Sequence, residues 1–403
     1  MSYDIIGFTS ILLVIFIVVV LANLRPVIAL ILYIGLGVRV IFIYIHNNIM
    51  LLPDSSGDSI NFVNKAYLWS RDGFLNTLDY FPGIDSFFIS WVISIFYSLF
   101  GDSVLMAQSI SLLFGMGSIY IGWIIAEKLW NKNVANKAAW LIALFPSLIL
   151  YSSLVMRETY VCFFLLIALN YSIEWLRHKN LKYFIFTVIS FIAATFFHGA
   201  MIIGLIFFII VVLWNLIKII FSGLLKFNLR INEAIFVFFV IIVINFFYTK
   251  NIHIAKLGNL KHLEEFPTLI VEKSERKNRG SAKYDTWMIP KSETELFYKA
   301  PIKMIYFLFS PFLWDIKKKE HIIGFFDGSL YIYLFYLIVR NFKNIWTDPA
   351  SRFIFLLFLL FVFAFGISIM NFGTGIRHRS KFVIILIILA APLLPKLFLY
   401  KKN

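Results

Sequence analysis

Long apolar stretches constrain this chain more than anything else in it. They are read at 5–23, 27–46, 104–127, 135–153, 157–176, 182–197, 199–219, 233–249, 322–340, 353–371 and 381–399. Most approach the ~20 residues that carry a helix across ~30 Å of hydrocarbon. The chain is 61% hydrophobic and only 15% charged, and a soluble core of 403 residues cannot hide that much apolar surface. The ten-residue alternation of a transmembrane β-barrel is absent. The expected fold is all-α: a polytopic helical membrane protein with about eleven spans, forming one integral membrane domain over 1–403.

Charge orients the spans. Lys128, Lys132 and Lys137 mark one connection as cytoplasmic under the positive-inside rule. So do Arg177, His178, Lys179 and Lys182; then Lys218, Lys226 and Arg230; then Arg340, Lys343 and Arg352; then Lys401 and Lys402. The segments left outside are the loop 47–103, the turn Met156 to Glu158, the turn at His198, the loop 250–321, and 372–380. Two short apolar pieces, 87–100 and 302–312, then do not cross. They are read as amphipathic helices lying in the outer interface. The site facing outward would put the protein in the cell (inner or plasma) membrane, multi-pass, with its chemistry on the periplasmic or extracellular side.

The net charge of +15 is no sign of nucleic acid, because the Lys and Arg sit in short loops where they set topology and meet anionic lipid. The single Cys162 excludes an intrachain disulfide. The first apolar run lacks a basic leader and a small-residue cleavage site, so no cleaved signal peptide is expected.

Polar chemistry is confined to a few places. The loop 47–103 opens with Asp54 and Asp58, four apart and on one face if that segment is helical. Paired carboxylates raise one member's pKa, which suits a general base; a shared divalent cation is an alternative use, and simple solvation of the loop is the bland one. No other metal site or cofactor is indicated. Tyr67 and Trp69 suggest packing at the membrane surface. Arg157 and Glu158 occupy a turn with almost no slack, at membrane depth or just outside it, where charge is costly and usually functional. His198 ends the next outer turn; a lone histidine there serves more often as a cap than as a ligand.

The most pointed motif is Asn371-Phe372-Gly373-Thr374-Gly375-Ile376-Arg377-His378-Arg379-Ser380-Lys381. Its glycines allow close backbone approach. Arg377, His378, Arg379 and Lys381 are read as donors at a helix start, where they oppose the dipole and an anionic partner would offset the cost. A lipid phosphate or pyrophosphate suits that role, and plain headgroup binding is the simpler reading. Arg276 and Arg279 add cations in the loop 250–321. The spans are read as nearly free of internal charge, which counts against a transporter.

Asp58, the segment Phe81-Pro82-Gly83 and the run Ser98-Leu99-Phe100-Gly101-Asp102-Ser103 resemble the start of the C-type membrane glycosyltransferases. These include the protein O-mannosyltransferase-like family and the bacterial lipid A aminoarabinose transferases. The basic loop Ala126 to Lys137 and the helix carrying Ala143-Leu144-Phe145-Pro146 and Tyr151-Ser152 extend the resemblance over roughly 40–220. It implies an enzyme moving a sugar from a polyprenyl-phosphate carrier to a glycan or lipid acceptor, with Asp58, or Asp54, as base. Ser59 follows Asp58 where the family usually shows a second acid, and the family's large C-terminal soluble domain is missing. The Arg377–Lys381 loop also resembles the O-antigen and capsule polymerases and ligases, which act on pyrophosphate-linked oligosaccharides. The expectation is therefore a polyprenyl-phosphate-dependent glycosyltransferase of cell-envelope polysaccharide or glycolipid synthesis. Asp58 and Asp54 would be catalytic, and Arg157, Arg377, His378, Arg379 and Lys381 would hold the lipid carrier. Glu158, His198, Tyr67, Arg276 and Arg279 would contact substrate. A polymerase or ligase is the alternative.

Overall fold

A computed structural model describes residues 4–225 and 282–395 continuously, with 266–277 and isolated positions between 237 and 259. The helix read at 233–249, Arg279, and the Lys226, Arg230, Lys401 and Lys402 markers lie largely or wholly outside the described residues; of Arg276 only the backbone is described. The helices in chain order are α1 (Ile5–Leu24), α2 (Ala29–Asn48), α3 (Ile60–Ser70), α4 (Phe74–Asp79), α5 (Phe88–Phe100) and α6 (Val104–Leu129). Then follow α7 (Lys132–Leu144), α8 (Pro146–Ser152), α9 (Arg157–His178), α10 (Leu181–Phe197), α11 (Ile202–Leu225) and α12 (Phe266–Lys277). The last are α13 (Glu293–Phe309), α14 (Lys319–Arg340), α15 (Phe342–Thr347), α16 (Pro349–Ser368), α17 (Phe372–Arg379) and α18 (Val383–Ala390). Seven helices among the described residues are long and apolar enough to cross a membrane. The all-α polytopic reading holds.

Helix ends follow local chemistry. Asp4 caps α1 by accepting from Gly7 N at 2.8 Å, Ser103 caps α6 from Met106 N at 3.0 Å, and Asn131 caps α7 from Val134 N at 3.0 Å. Each satisfies a donor that the first helical turn leaves open. In lipid the apolar effect does not drive helices together, so close packing must. Small residues on α6 permit it: Gly115 lies against Ser152 of α8, Gly117 against Phe163 of α9, and Gly122 against Ile142 of α7. A side chain at any of these three would collide with its neighbour.

The span read as 135–153 is broken. Phe145 adopts an extended conformation before Pro146, and α7 and α8 meet at 58°. Proline both lacks an N–H and disfavours a helical residue before it. The break leaves the Ala143 carbonyl without a helical partner, and Arg39 of α2 fills the position. Its Nη1 donates to Ala143 O at 2.8 Å and Gly35 O at 3.0 Å, and its Nε to Ser152 Oγ at 2.8 Å. A cation there also meets the negative end of the α7 dipole. Arg39 is fully buried inside a span, so the expectation that the spans carry almost no internal charge is wrong. The apolar flanks of Arg39 disguised it as one polar residue in a hydrophobic run.

The basic connections gather at one end of the bundle. Lys128 pairs with Glu174, Arg177 donates to Lys128 O at 2.7 Å, and Trp130 donates to Ile388 O at 3.0 Å. Asn341 donates to Leu389 O at 3.2 Å and Lys137 to Leu394 O at 2.5 Å. At the opposite end Asn47, closing α2, donates to Gln108, opening α6, at 2.8 Å. The segment between them therefore starts and finishes at the same end, and α5, only 13 residues long, packs beside α3 rather than crossing alone. Tyr284 N donates to Met370 O at 3.1 Å, and the rings of His321 and Phe372 lie 4.8 Å apart. The stretch carrying α13 likewise leaves and returns at that end.

Candidate functional site

The end opposite the basic loops is where distant segments converge. After α2 the chain turns at Asp54, which sits in the left-handed region at φ 62, and a five-residue turn, Ser55–Ser59, leads into α3. Aspartate tolerates that conformation better than most residues. Asp54 Oδ2 accepts from Tyr151 OH at 2.8 Å, which ties the turn to α8. Asp58 Oδ2 lies 2.5 Å from Arg377 Nη2. The two aspartates therefore take separate partners, and they are not the adjacent pair on one helical face that their spacing suggested. Among the described residues no group of three or more His, Cys, Asp or Glu side chains comes together as a metal site.

Arg157 and Glu158 open α9, where a carboxylate is favoured by the helix dipole. Glu158 is fully buried and accepts from Arg377 Nε at 3.0 Å, with Lys381 Nζ at 3.4 Å from the same oxygen. A carboxylate so held anchors two cations through Oε1, while its Oε2 is buried without a hydrogen-bond partner among the described residues. Arg157 lies beside this chain of ion pairs with its guanidinium 5.4 Å from the Phe62 ring centre. Its Nε is buried without a hydrogen-bond partner among the described residues. Glu158, Arg377, Asp58 and Asp85 all act on Arg157 electrostatically.

The Arg-His-Arg motif folds differently from the expectation. Asn371 caps α17 by accepting from Gly373 N at 2.8 Å and Thr374 N at 3.3 Å. A helix thus begins at Phe372, nine residues before the start read at 381, and Arg377, His378 and Arg379 fall in its last turn. There they complement the dipole instead of opposing it. Burial works against the charge of Arg377, but the Glu158 and Asp58 carboxylates outweigh it and hold the guanidinium above its ordinary range.

Arg379 is not part of this cluster. It is wholly buried and donates to Asp327 Oδ2 from Nη2 at 2.8 Å and from Nε at 3.2 Å. Its Nη1 donates to Leu308 O at 2.9 Å and Ser310 O at 2.6 Å, the open carbonyls ending α13. Its guanidinium also lies 4.7 Å from the Tyr331 ring centre. Gly328 of α14 lets α13 come this close, since a Cβ there would lie 2.3 Å from Phe309 O. Arg379 therefore joins α13 to α14 and cannot reach a phosphate at the surface. Asp327, its partner, went unrecognised because a single acid inside an apolar run carries no local signal.

The remaining predicted residues divide similarly. His378 Nδ1 lies 2.6 Å from Lys381 Nζ, and its ring is 5.2 Å from that of buried His198. Both histidines belong to the underside of the cluster. Tyr67 is exposed on α3 with Arg71 at 5.6 Å from its ring, and the ion-pair chain does not include it. The structure thus brings together Asp58, Arg157, Glu158, His198, Arg377, His378 and Lys381, with Asp54 tied nearby through Tyr151.

Residues 85–248 match the family model described as dolichyl-phosphate-mannose-protein mannosyltransferase. The matched region includes Arg157, Glu158 and His198, whereas Asp58 and Arg377 lie outside it. No curated protein and no solved structure matches the chain. The match covers less than half of the chain and agrees, over that stretch, with the resemblance to the C-type membrane glycosyltransferases.

Proposed function

We propose that the chain transfers a sugar from a polyprenyl-phosphate carrier to a hydroxyl of a glycan or lipid acceptor in cell-envelope synthesis. Transfer takes place at the outer end of the bundle, where Asp58, Arg157 and Arg377 meet. The observation that carries this reading is the state of Arg157. Arg377 and Lys381 are matched by Asp58 and Glu158, but among the described residues Arg157 has no carboxylate within ion-pair distance and its buried Nε has no hydrogen-bond partner. A buried guanidinium donor left open is costly unless an anion completes it. Arg157 and Arg377 together offer planar donors of the kind that bind phosphate oxygens.

The chemistry is displacement at the anomeric carbon. The acceptor oxygen forms the new bond to that carbon while its proton passes to Asp58. The bond from the carbon to the carrier's phosphate oxygen breaks, and its electron pair leaves with the phosphate. Charge rises on that oxygen in the transition state, where Arg157 and Arg377 stabilise it. Asp54, tied to Tyr151, fixes the turn that presents Asp58.

The test is sugar transfer by membranes containing the Asp58→Asn and Arg157→Ala variants, each matched to wild type in expression. Both lose transfer on this reading, and wild-type activity in Asp58→Asn ends it. One observation favours a second reading: Asp58 is engaged by Arg377, so the arginines could serve a pyrophosphate-linked oligosaccharide with no aspartate base, as in a polymerase or ligase. An inactive Arg377→Ala beside an active Asp58→Asn identifies that case.

A further inference from the structure

Arg377 is held asymmetrically. Its Nε donates to Glu158, whose side chain is 1% exposed and which Lys381 also engages, so this arm is anchored. Its Nη2 meets Asp58, whose side chain is 42% exposed and stands on the Ser55–Ser59 turn. That turn has an independent tether in the Asp54–Tyr151 hydrogen bond. At Gly57 it borders open space, since nothing lies within 4 Å of a Cβ built there. Releasing Asp58 from Arg377 thus breaks the outer contact while the inner one and the base of the turn remain.

The Asp58 oxygen that Arg377 occupies is not open to an acceptor hydroxyl while that contact lasts. A phosphate offers the same guanidinium oxygen acceptors of equal or greater charge. We propose that Arg377 exchanges partners: the donor phosphate displaces Asp58 from Nη2 while Nε stays on Glu158. Asp58 then becomes available as a base only once the donor is seated. Glu158 is accordingly a positioning residue, holding Arg377 through the exchange. This rests on the transferase reading, in which Arg377 holds the donor phosphate, and it adds an order of events: donor first, acceptor activation second.

The experiment measures binding of farnesyl phosphate to the full chain in lipid nanodiscs, for wild type, Asp58→Asn, Arg377→Gln and the double variant. Removing the competing carboxylate should tighten binding in Asp58→Asn by roughly fivefold, the equivalent of about 1 kcal/mol for a half-exposed pair. In the Arg377→Gln background the same change should shift binding by less than about twofold, because the competition runs through Arg377. Unchanged or weaker binding in Asp58→Asn overturns the exchange. An equal gain with and without Arg377 also overturns it, since that is general charge repulsion. If Arg377→Gln is not recovered folded, Asp85→Asn serves as the control, since it removes a carboxylate that acts on Arg157 rather than one paired with Arg377: a gain equal to that of Asp58→Asn overturns the exchange. Absence of farnesyl phosphate binding to folded wild type contradicts the transferase reading itself, a separate result from failure of the exchange.

Discussion

Arg377 Nε donates to Glu158 Oε1 at 3.0 Å, a contact between residues 219 apart in sequence. It joins the start of α9 to the end of α17 and seats the ion cluster on a buried carboxylate. Removing that carboxylate should therefore cost stability as well as activity. Glu158→Gln leaves Arg377 and Lys381 without their buried counter-charge, and a loss of about 3–5 kcal/mol is expected. Thermal unfolding in detergent reads it as a clear drop in Tm. Asp58→Asn, on the half-exposed arm of the same arginine, should stay within about 1 kcal/mol of wild type.

Arg379 and Arg377 are two residues apart and should behave as different kinds of residue. Arg379→Met should destabilise by about 3–5 kcal/mol, because it strands Asp327 as a buried charge and opens the carbonyls ending α13. Replacing both partners, as Arg379→Met with Asp327→Leu, should recover much of that loss. Fluorescence-monitored thermal melts of the two single variants and the double variant check it. Additive losses would mean that the pair is not the unit described.

Arg39 should be needed for the broken span and not for donor binding. Arg39→Met removes the donors to Ala143 O and Ser152 Oγ, with an expected loss of about 2–3 kcal/mol. Farnesyl phosphate affinity of the folded fraction should remain within about twofold of wild type, because Arg39 donates to Gly35, Ala143 and Ser152 and shares no partner with Asp58, Arg157 or Arg377.

Lys303 gives the fold a pH signature. It is buried on α13, donates to Ile367 O at 2.5 Å, and burial, helped by Lys299, pushes its ammonium down to about 7. The same lysine in the unfolded chain keeps its ordinary value of ~10.4. Between these two values the unfolded chain binds a proton that the folded chain does not, so stability rises with pH across that window. Melts at pH 7 and pH 9 should show this rise in wild type and a smaller one in Lys303→Met. An identical slope in the variant would remove Lys303 as its source.

The spans could be read in the sequence because twenty apolar residues in a row have few other fates, and Ile5–Leu24 and Pro349–Ser368 appear almost where hydropathy put them. The convergence of distant polar residues was also legible, since loop charge alone put Asp58, Arg157, His198 and Arg377 on one side. What was not legible was which charge meets which. Arg377 and Arg379 look equivalent in a string, yet on the last turn of α17 they point to different neighbours, one to Glu158 and one to Asp327. The start of α17 was misplaced because the capping role of Asn371 was passed over in favour of the glycines after it. Arg39 and Asp327 were missed because a single charge in an apolar run has meaning only through a partner on another helix.

In the proposed reaction Asp58 is the base of a sugar transfer whose leaving phosphate is held by Arg157 and Arg377. The most direct measurement is release of polyprenyl phosphate from a polyprenyl-phosphate mannose donor in proteoliposomes supplied with native membrane acceptors, for wild type and Asp58→Asn. Asp58→Asn should bind the donor at least as tightly as wild type and lose at least about a hundredfold in turnover, the low end of what general base catalysis contributes. Turnover in Asp58→Asn equal to wild type would contradict the account.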